Sequence, residues 1–307
     1  MTNKLVLEFW DRNGNLNLKN KNYRSFVRKL VEGQLKEDIG RDDITTESTI
    51  LKDKKIKAEI ISNQSGVVAG IEESSLFTKK DKLIKIKKDG DIVRKGDIII
   101  EIIGPANDIL GYERTLLNIL QRMCGIATET YNTKKLIKNK CKITATRKTL
   151  LHLIDKKAVV IGGGLTHRLN LNDFILIKDN HLKILNNNIK KALMLAVKNG
   201  KSKHIEIEVK NEKEALEAAN SIKRLKSNKN FAILFDNMKA TKIKNTIKKI
   251  NNLINENIKN NNKILFEASG NINQNNIKEY SKTGVDVISL GLLTHSVKAF
   301  DLSLEIK

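Results

Sequence analysis

Long apolar runs are missing from this sequence of 307 residues. No run approaches the roughly eighteen residues that a membrane-spanning helix needs. The opening MTNKLVLEFWDRNG has acidic residues and an Asn-Gly turn where a signal peptide requires an apolar stretch. We therefore expect a soluble, cytoplasmic protein with no membrane partner. Hydrophobic residues are still 40% of the chain, which is enough for one large core or two ordinary ones.

Cysteines are almost as scarce, since the chain has only Cys124 and Cys141. Neither has a second cysteine at the spacing of a metal site or a redox motif. This excludes a disulfide framework and predicts that both are reduced and structural.

Arginines and aromatic residues are few in a chain whose formal net charge is +22. Only 10 of the 57 basic residues are arginine, and aromatics make up 4%. The lysines lie beside Asn and Ile in tracts such as NNNIKK and NENIKNNNK. Such tracts are typical of a solvated surface rather than of a nucleic-acid interface with stacking rings, so we expect no nucleic-acid partner.

The first third of the chain has the patterns of a helix, then strands, then a second helix. Apolar spacing predicts helices over 23–37 and 109–136, and alternation predicts strands over 56–61, 82–87 and 98–103. The stretch DGDIVRKGDIIIEI resembles lipoyl and biotinyl carrier domains. It lacks the modified-lysine sequence, so we interpret it as a turn between two strands.

From residue 142 the pattern alternates between strand and helix. The predicted strands are near 142–146, 158–161, 174–177, 204–209, 231–235, 263–268 and 286–290. The predicted helices are near 183–199, 211–224, 239–255 and 273–283. This order predicts an incomplete parallel α/β barrel, with about seven strands rather than the usual eight or so.

Polar or glycine residues end nearly every one of these strands, and in an α/β barrel they would meet at the C-terminal rim. They are Arg147, Lys148, Gly162, Gly163, Gly164, His167, Arg168, Lys178, Asp179, Asn180, His181, Glu208, Asp236, Ser269, Gly270 and Gly291. Basic clusters on one side and carboxylates on the other suit a substrate with several negative charges. Loops after the last two strands are a usual phosphate site of this fold, so a phosphorylated sugar fits.

The strand HIEIEV carries two glutamates that a period of two places on one face. Because helices cover the outside of a barrel, Glu206 and Glu208 should point inward, with Glu208 nearer the rim. Buried carboxylates are costly unless a ligand or cation compensates them. Taken without its neighbours, Glu206 can equally be a structural residue paired with an inner cation.

Eight sequence blocks, in order from about residue 25 to the C-terminus, closely resemble the quinolinate phosphoribosyltransferase family. They are LKEDIGRDDITT, ERTLLNILQRMCGIAT, ATRKT, AVVIGGGLTHRLNLNDFILIKDNH, IEIEV, LFDN, EASG and TGVDVISLGLLTHSVKAFDLSL. The resemblance implies transfer of phosphoribose from phosphoribosyl pyrophosphate to quinolinate with loss of CO2. The product would be nicotinate mononucleotide, an intermediate of NAD biosynthesis.

The resemblance also implies the architecture. An N-terminal α/β sandwich domain would cover residues 1–124, completed by about 298–307, and the incomplete barrel would cover 125–297. The family forms a homodimer, in some cases a larger oligomer, in which the sandwich domain of one subunit covers the barrel mouth of the other. The active sites would then be shared between subunits.

Roles for individual residues follow from the same resemblance. The quinolinate carboxylates would be bound by Arg114 of the partner chain with Arg147, His167, Arg168 and Lys178. Lys148 would contact the phosphates of phosphoribosyl pyrophosphate. Glu208 and Asp236 would hold the ribose and the Mg²⁺ that accompanies the pyrophosphate, whereas Ser269, Gly270 and Gly291 would bind the 5′-phosphate. The catalytic set would be Lys148, Lys178, Glu208 and Asp236, with no organic cofactor.

Two segments depart from the family pattern. Leu150, Leu151 and His152 replace a Thr-Pro-Gly-containing loop, and the segment before the triple glycine is shorter, which leaves this loop's conformation open. Asn271 stands where a second glycine is usual. Asn tolerates a positive φ better than most residues, so we expect that turn to survive.

Three alternatives are distinguishable. A related protein of molybdate-transport operons shares the fold, but the Lys178 to His181 motif favours the quinolinate enzyme. An RNA-binding protein would explain the charge but not inward-facing acids at strand ends. A carrier domain would need a modifiable lysine, which mass spectrometry would detect.

Overall fold

The computed structural model describes residues 2–51, 54–78, 82–255 and 263–307. The chain divides into two compact units. The first, the parallel unit, comprises Met1–Arg12, Thr133–Arg147 and Leu165–Leu292, and the second, the antiparallel unit, comprises Asn13–Asn132, Lys148–Gly164 and Leu293–Lys307. The units interleave along the chain, and the boundary predicted after residue 124 stays a prediction.

The strands of the described residues are β1 (Lys55–Ser62), β2 (Gly66–Val67), β3 (Lys82–Lys85), β4 (Ile92–Val93), β5 (Ile98–Pro105), β6 (Lys142–Thr144), β7 (Ile175–Ile177), β8 (His204–Val209), β9 (Asn230–Asp236), β10 (Ile264–Ser269), β11 (Val287–Ser289) and β12 (Leu302–Ile306). The helices are α1 (Thr2–Trp10), α2 (Lys21–Ile39), α3 (Ile44–Thr49), α4 (Ile71–Ser74), α5 (Ala106–Ile137), α6 (Leu153–Ile161), α7 (Asp179–Ile184), α8 (Ile189–Asn199), α9 (Glu212–Arg224), α10 (Ala240–Asn255), α11 (Ile277–Tyr280) and α12 (Leu292–His295).

The antiparallel unit is built on a four-stranded sheet of order β12-β1-β5-β3. The last strand of the chain pairs with the first, from Ala58 opposite Ile306 to Ser62 opposite Leu302. The predicted helices over 23–37 and 109–136 are present as α2 and α5. The sheet therefore joins segments from both ends of the sequence.

The parallel unit contains six strands in the order β6-β11-β10-β9-β8-β7. Strands alternate with helices, which confirms the predicted parallel α/β class. The predicted strand at 158–161 is wrong, because these residues form the last turn of α6. A short apolar run bounded by glycines fits a buried helix as well as a strand. At the β6 edge of the sheet the described residues form a single isolated β-bridge, between Thr144 and Leu165.

Helix α1 belongs to the core of the parallel unit. Its Phe9 and Trp10 are fully buried among inward-facing residues of the sheet such as Leu234. The Phe9 ring lies 4.8 Å from the ring of His204, the first residue of β8. The helix thus closes the end of the sheet where the strands begin, and leaves chemistry to the opposite end.

The cysteines behave as predicted. Both are free thiols and both are buried. Burial raises the pKa of each thiol to about 12, so neither is a reactive thiolate near neutral pH.

Membrane crossing is a separate question. Within residues 2–51, 54–78, 82–255 and 263–307, no helix is both long enough and apolar enough to span a bilayer.

Candidate active site

Strand register orders the inward-facing side chains of the parallel sheet into levels. Glu206 lies level with Ala232, and Glu208 lies level with Leu234 one step closer to the strand ends. Glu206 is fully buried, whereas the Glu208 side chain keeps 12% of its exposure. Both lie on the face that Trp10 covers. The period-two pattern of β8 therefore predicted their orientation and order correctly.

One histidine and two glutamates form a buried group on this face, which we call the acid cluster. His167 Nε2 lies 3.2 Å from Glu267 Oε2 and 3.6 Å from Glu206 Oε2. The backbone N–H of Arg168 donates to His167 Nδ1 at 2.8 Å. In a neutral ring this places the proton on Nε2, where it faces the carboxylates.

The backbone holds the histidine in an uncommon conformation. The φ angle of His167 is +53°, which few residues other than glycine adopt. Strain of this kind persists where the surrounding contacts fix it, as they often do at functional sites.

The acid cluster carries more buried negative charge than its neighbours satisfy. Both carboxylate oxygens of Glu206 and Oε1 of Glu267 are buried without a hydrogen-bond partner in the described residues. Burial and the nearby charge of Glu267 raise the pKa of Glu206 well above its ordinary value. Burial alone would also raise the pKa of Glu267, but its interaction with His167 outweighs this and lowers it. The pKa values of the two carboxyl groups are therefore shifted in opposite directions within one coupled pair.

The same three side chains could hold a metal ion. One ligand atom from each of His167, Glu206 and Glu267 lies within 4.8 Å of the other two, the one such group of three found among the described residues. Through Leu234, Glu267 lies level with the predicted metal ligand Glu208, whereas Glu206 lies one level further from the strand ends. The other predicted ligand, Asp236, is the last residue of β9.

The guanidinium of Arg168 lies within electrostatic reach of Glu206 in the acid cluster, and the exposed Arg147 lies within reach of Arg168. Arg168 is buried to 6% exposure. Burial, together with the positive charge of Arg147, lowers its pKa, and Glu206 and Asp173 act in the opposite direction. No salt bridge to a carboxylate forms at either arginine within the described residues. A dicarboxylate anion would supply the missing negative charge.

A cation and a carboxylate face each other at the rim. Lys178 Nζ lies 3.8 Å from Glu208 Oε2. Burial raises the pKa of Glu208, and the charge of Asp236 adds to this effect, whereas Lys178 opposes it. A cavity of about 360 Å³ reaches Glu208 and is also lined by Asp179 and Lys210. From Glu208 the cavity extends to Glu214 and Glu217 of α9.

The turn after β10 is tightly coupled to the end of β9. Gly270 has φ +91°, and a Cβ there would lie 2.4 Å from Asn237 Oδ1, so only glycine fits. Asn271 has φ +52°, as its tolerance of positive φ predicts. Its side-chain amide donates to Asn237 Oδ1 at 2.9 Å, and Asn237 Nδ2 donates to Asp236 Oδ2 at 2.8 Å. This network fixes the Asp236 carboxylate.

Two predicted site residues belong to the antiparallel unit. Arg114, on α5, has a side chain 60% exposed, and its Nη2 lies 3.8 Å from Glu113 Oε1. So long and exposed a contact adds little stability. Lys148 is exposed at the start of the loop that precedes α6.

Family models match almost the whole chain. The model described as quinolinate phosphoribosyl transferase, C-terminal domain, matches residues 126–305, and its N-terminal counterpart matches residues 43–124. This chain belongs to the quinolinate phosphoribosyltransferase family.

Relatives of this family align over nearly their full length. A probable nicotinate-nucleotide pyrophosphorylase [carboxylating] of Methanocaldococcus jannaschii is 39% identical over 92% of this chain and 98% of its own. Quinolinate phosphoribosyltransferase [decarboxylating] 1 of Nicotiana glauca is 35% identical over 91% of this chain and 82% of its own. The structure of the nicotinate-nucleotide pyrophosphorylase from Francisella tularensis matches with a TM-score of 0.80 at 33% identity, covering 92% of this chain and 96% of that one.

The parallel unit of this quinolinate phosphoribosyltransferase family member contains nine of the eleven predicted site residues. They are Arg147, His167, Arg168, Lys178, Glu208, Asp236, Ser269, Gly270 and Gly291. Sequence reasoning missed Glu267 and Asn237 as members of this region. The same period of two that identified Glu208 could have found Glu267, two residues before Ser269. No pattern in the sequence signals that Asn237 bridges two loops.

Proposed function

We propose that this chain transfers phosphoribose from phosphoribosyl pyrophosphate to the ring nitrogen of quinolinate and releases pyrophosphate and CO2. One observation carries the proposal. Arg168, a buried guanidinium, lies next to Arg147, and neither forms a salt bridge to a carboxylate within the described residues. Quinolinate has two adjacent carboxylates, which match two planar forks better than a single charge would.

The rim carboxylates suit the glycosyl half of the reaction. As the ring nitrogen attacks the anomeric carbon, the bond to pyrophosphate breaks and the ribose gains positive charge. Glu208 and Asp236 would stabilise that charge and hold the ribose hydroxyls. Lys148 would contact the departing pyrophosphate, and the turns at Ser269, Gly270 and Gly291 would bind the 5′-phosphate through backbone N–H groups.

The basic residues suit the second half. Alkylation makes the pyridine ring cationic, so that the bond to CO2 can break and leave its electron pair on the carbon beside the positive nitrogen. A proton then takes the place of CO2. The carboxylates would be held in place by Arg147, Arg168 and Lys178, whose positive charges would also stabilise the carbanion. The two guanidinium groups do not give up a proton easily, so they would not protonate the carbanion too early.

The residues present fit a magnesium ion that arrives with phosphoribosyl pyrophosphate. The pKa of Glu208 is raised by burial and by Asp236, so a cation between these carboxylates would relieve their repulsion. Carboxylate oxygens are ligands that Mg²⁺ prefers. When bound, the ion would neutralise charge on the leaving pyrophosphate. No organic cofactor is required by this chemistry.

The direct test is an assay of the purified protein with quinolinate, phosphoribosyl pyrophosphate and Mg²⁺, in which nicotinate mononucleotide is detected by chromatography. We expect turnover with quinolinate and none with nicotinate, because nicotinate lacks the second carboxylate. Omitting Mg²⁺ in the presence of a chelator is expected to abolish product. Turnover of nicotinate alone, or no turnover of quinolinate, would contradict the proposal.

We also propose a homodimer whose subunits share their active sites. The support is Arg114, whose side chain is 60% exposed and whose one ion pair within the described part of the chain is the 3.8 Å contact with Glu113. An exposed arginine with so weak an internal partner is available to bind a dianion in a second copy of the chain.

A mixing experiment tests this arrangement. Arg114→Ala and Lys178→Ala are expected to be nearly inactive as homodimers. After subunit exchange, half of the dimers are mixed, and each contains one intact site, so activity should recover to about a quarter of wild type. No recovery after exchange shown by mass spectrometry would place Arg114 outside the partner's site.

A further inference from the structure

The loop that carries Lys148 contains neither glycine nor proline from Lys148 to His152, and its Leu150 side chain is 77% exposed. Nothing in its own composition stiffens it. Contacts with the rest of the antiparallel unit must therefore set its conformation.

A buried carboxylate anchors this loop from the helix that follows. Asp155, in the first turn of α6, is fully buried. Its Oδ2 accepts a hydrogen bond from the Thr149 hydroxyl and another, at 3.1 Å, from the backbone N–H of Leu151. Two points of the loop, on either side of Leu150, are thus tied to one oxygen atom.

Arg122 holds the carboxylate in turn. Its Nε and Nη2 donate to the two oxygens of Asp155, each at 2.7 Å. Nη2 also donates to the carbonyl of Thr294 at 2.9 Å, and the Thr294 hydroxyl donates to the carbonyl of Lys148 at 2.7 Å. One guanidinium therefore fixes the backbone of Lys148 from both sides, through Asp155 and through Thr294.

We infer that Arg122, Asp155 and Thr149, which we call the loop anchor, are positioning residues that set Lys148 for binding the pyrophosphate group. The inference rests on the proposed function, in which Lys148 contacts those phosphates. A lysine ammonium is a point charge on a flexible stem. Fixing its backbone reduces the conformational entropy lost when a phosphate is bound. In this inference the loop anchor acts through Lys148 and not directly on the substrate.

The test uses the milder change first. Thr149→Val removes the hydroxyl with little change of shape, and Thr149→Ser retains it. We expect Thr149→Val to weaken binding of Mg-pyrophosphate, measured by calorimetry, about tenfold, the equivalent of one charge-assisted hydrogen bond. Thr149→Ser should stay near wild type. Quinolinate affinity should be unchanged in both, because its predicted ligands are elsewhere.

Matched controls separate positioning from general loosening. Thr283 is buried and donates its hydroxyl to the carbonyl of Tyr280 at 2.7 Å, so Thr283→Val also loses a threonine hydroxyl bond, at a place away from the loop. It should leave pyrophosphate affinity unchanged. Asp155→Asn should weaken pyrophosphate binding further, and adding Thr149→Val to it should have little additional effect, since both act through the same carboxylate.

Amide exchange provides a readout that needs no turnover. Because the Leu151 N–H donates to Asp155, the peptide containing it should exchange faster in Asp155→Asn, and in Thr149→Val to a smaller extent. Unchanged exchange in Asp155→Asn would overturn the anchor. Faster exchange with unchanged pyrophosphate affinity would overturn the role in positioning Lys148. If the exchange and affinity results are as expected but the wild-type protein does not turn over quinolinate, the proposed function is contradicted and the loop anchor is not.

Discussion

Two of the buried charged groups in the described residues, the loop anchor and the acid cluster, differ in how completely their charges are matched. The loop anchor has one carboxylate, Asp155, and it accepts bonds from Arg122, Thr149 and the Leu151 backbone. The acid cluster has two carboxylates and one histidine, and three of its four carboxylate oxygens lack a hydrogen-bond partner in the described residues. A matched buried group stabilises one conformation. An unmatched one stores a cost that a ligand, cation or proton can relieve.

The largest effect is expected on the free energy of unfolding, when the carboxylate of the loop anchor is removed. Asp155→Ala would leave the Arg122 guanidinium, which is 18% exposed, without its carboxylate. A buried charge that loses its partner costs about 3–5 kcal/mol, and urea denaturation should measure a loss of this order. A loss below about 1 kcal/mol, comparable with an exposed ion pair, would show that Asp155 is not an important part of the fold.

The rim acids should affect rate more than stability. Glu208→Gln and Asp236→Asn are each expected to lower kcat about a hundredfold, because they stabilise charge that develops on the ribose. Quinolinate binding should weaken far less. Glu279→Gln, an exposed change on α11, is the control. An unchanged kcat at saturating substrates would remove both acids from the site.

Replacing a guanidinium by an ammonium sharpens the comparison further. Arg168→Lys keeps the charge but loses the planar fork, so we expect quinolinate affinity to fall about tenfold. Arg224→Lys, on the exposed end of α9, should have no effect. Titration calorimetry distinguishes the two, and wild-type affinity in Arg168→Lys would mean that this arginine does not bind the dicarboxylate.

The smallest effect concerns pH and the acid cluster. The pKa of Glu206 is higher in the folded protein than in the unfolded chain, where it is about 4.5. The contribution of Glu206 to the free energy of unfolding is therefore most favourable below the unfolded pKa. It declines as the pH rises toward the folded pKa. Glu206→Gln cannot ionise and should lack this decline. Relative to wild type, the variant should become more stable as the pH rises from 5 to 8, as measured by urea denaturation. An equal difference at both pH values would mean that the folded protein does not raise the pKa of Glu206 into or above that range.

Patterns along the sequence predicted the elements whose neighbours are close in the chain. Helices α2 and α5 follow apolar spacing, and the direction of Glu206 and Glu208 follows from the pleat of β8, because side chains alternate strictly along a strand. The segment 158–161 shows the limit of such patterns. Four apolar residues before a triple glycine fit two periods equally, and the buried Asp155 one turn earlier favours the helix only once its arginine partner is known.

The sequence by itself determined the α/β class, the resemblance to the family and most residues at the ends of the parallel strands. Each of these depends on local periodicity or on the order of motifs. Tertiary structure decided the rest: the burial of Phe9 and Trp10 under the sheet, the meeting of His167 with Glu206 and Glu267, and the bond from Arg122 to Asp155. These partners are separated by 33 to 100 residues in the hydrogen-bonded pairs. Which charges meet over such distances depends on how the strands and helices pack, and no local propensity specifies it.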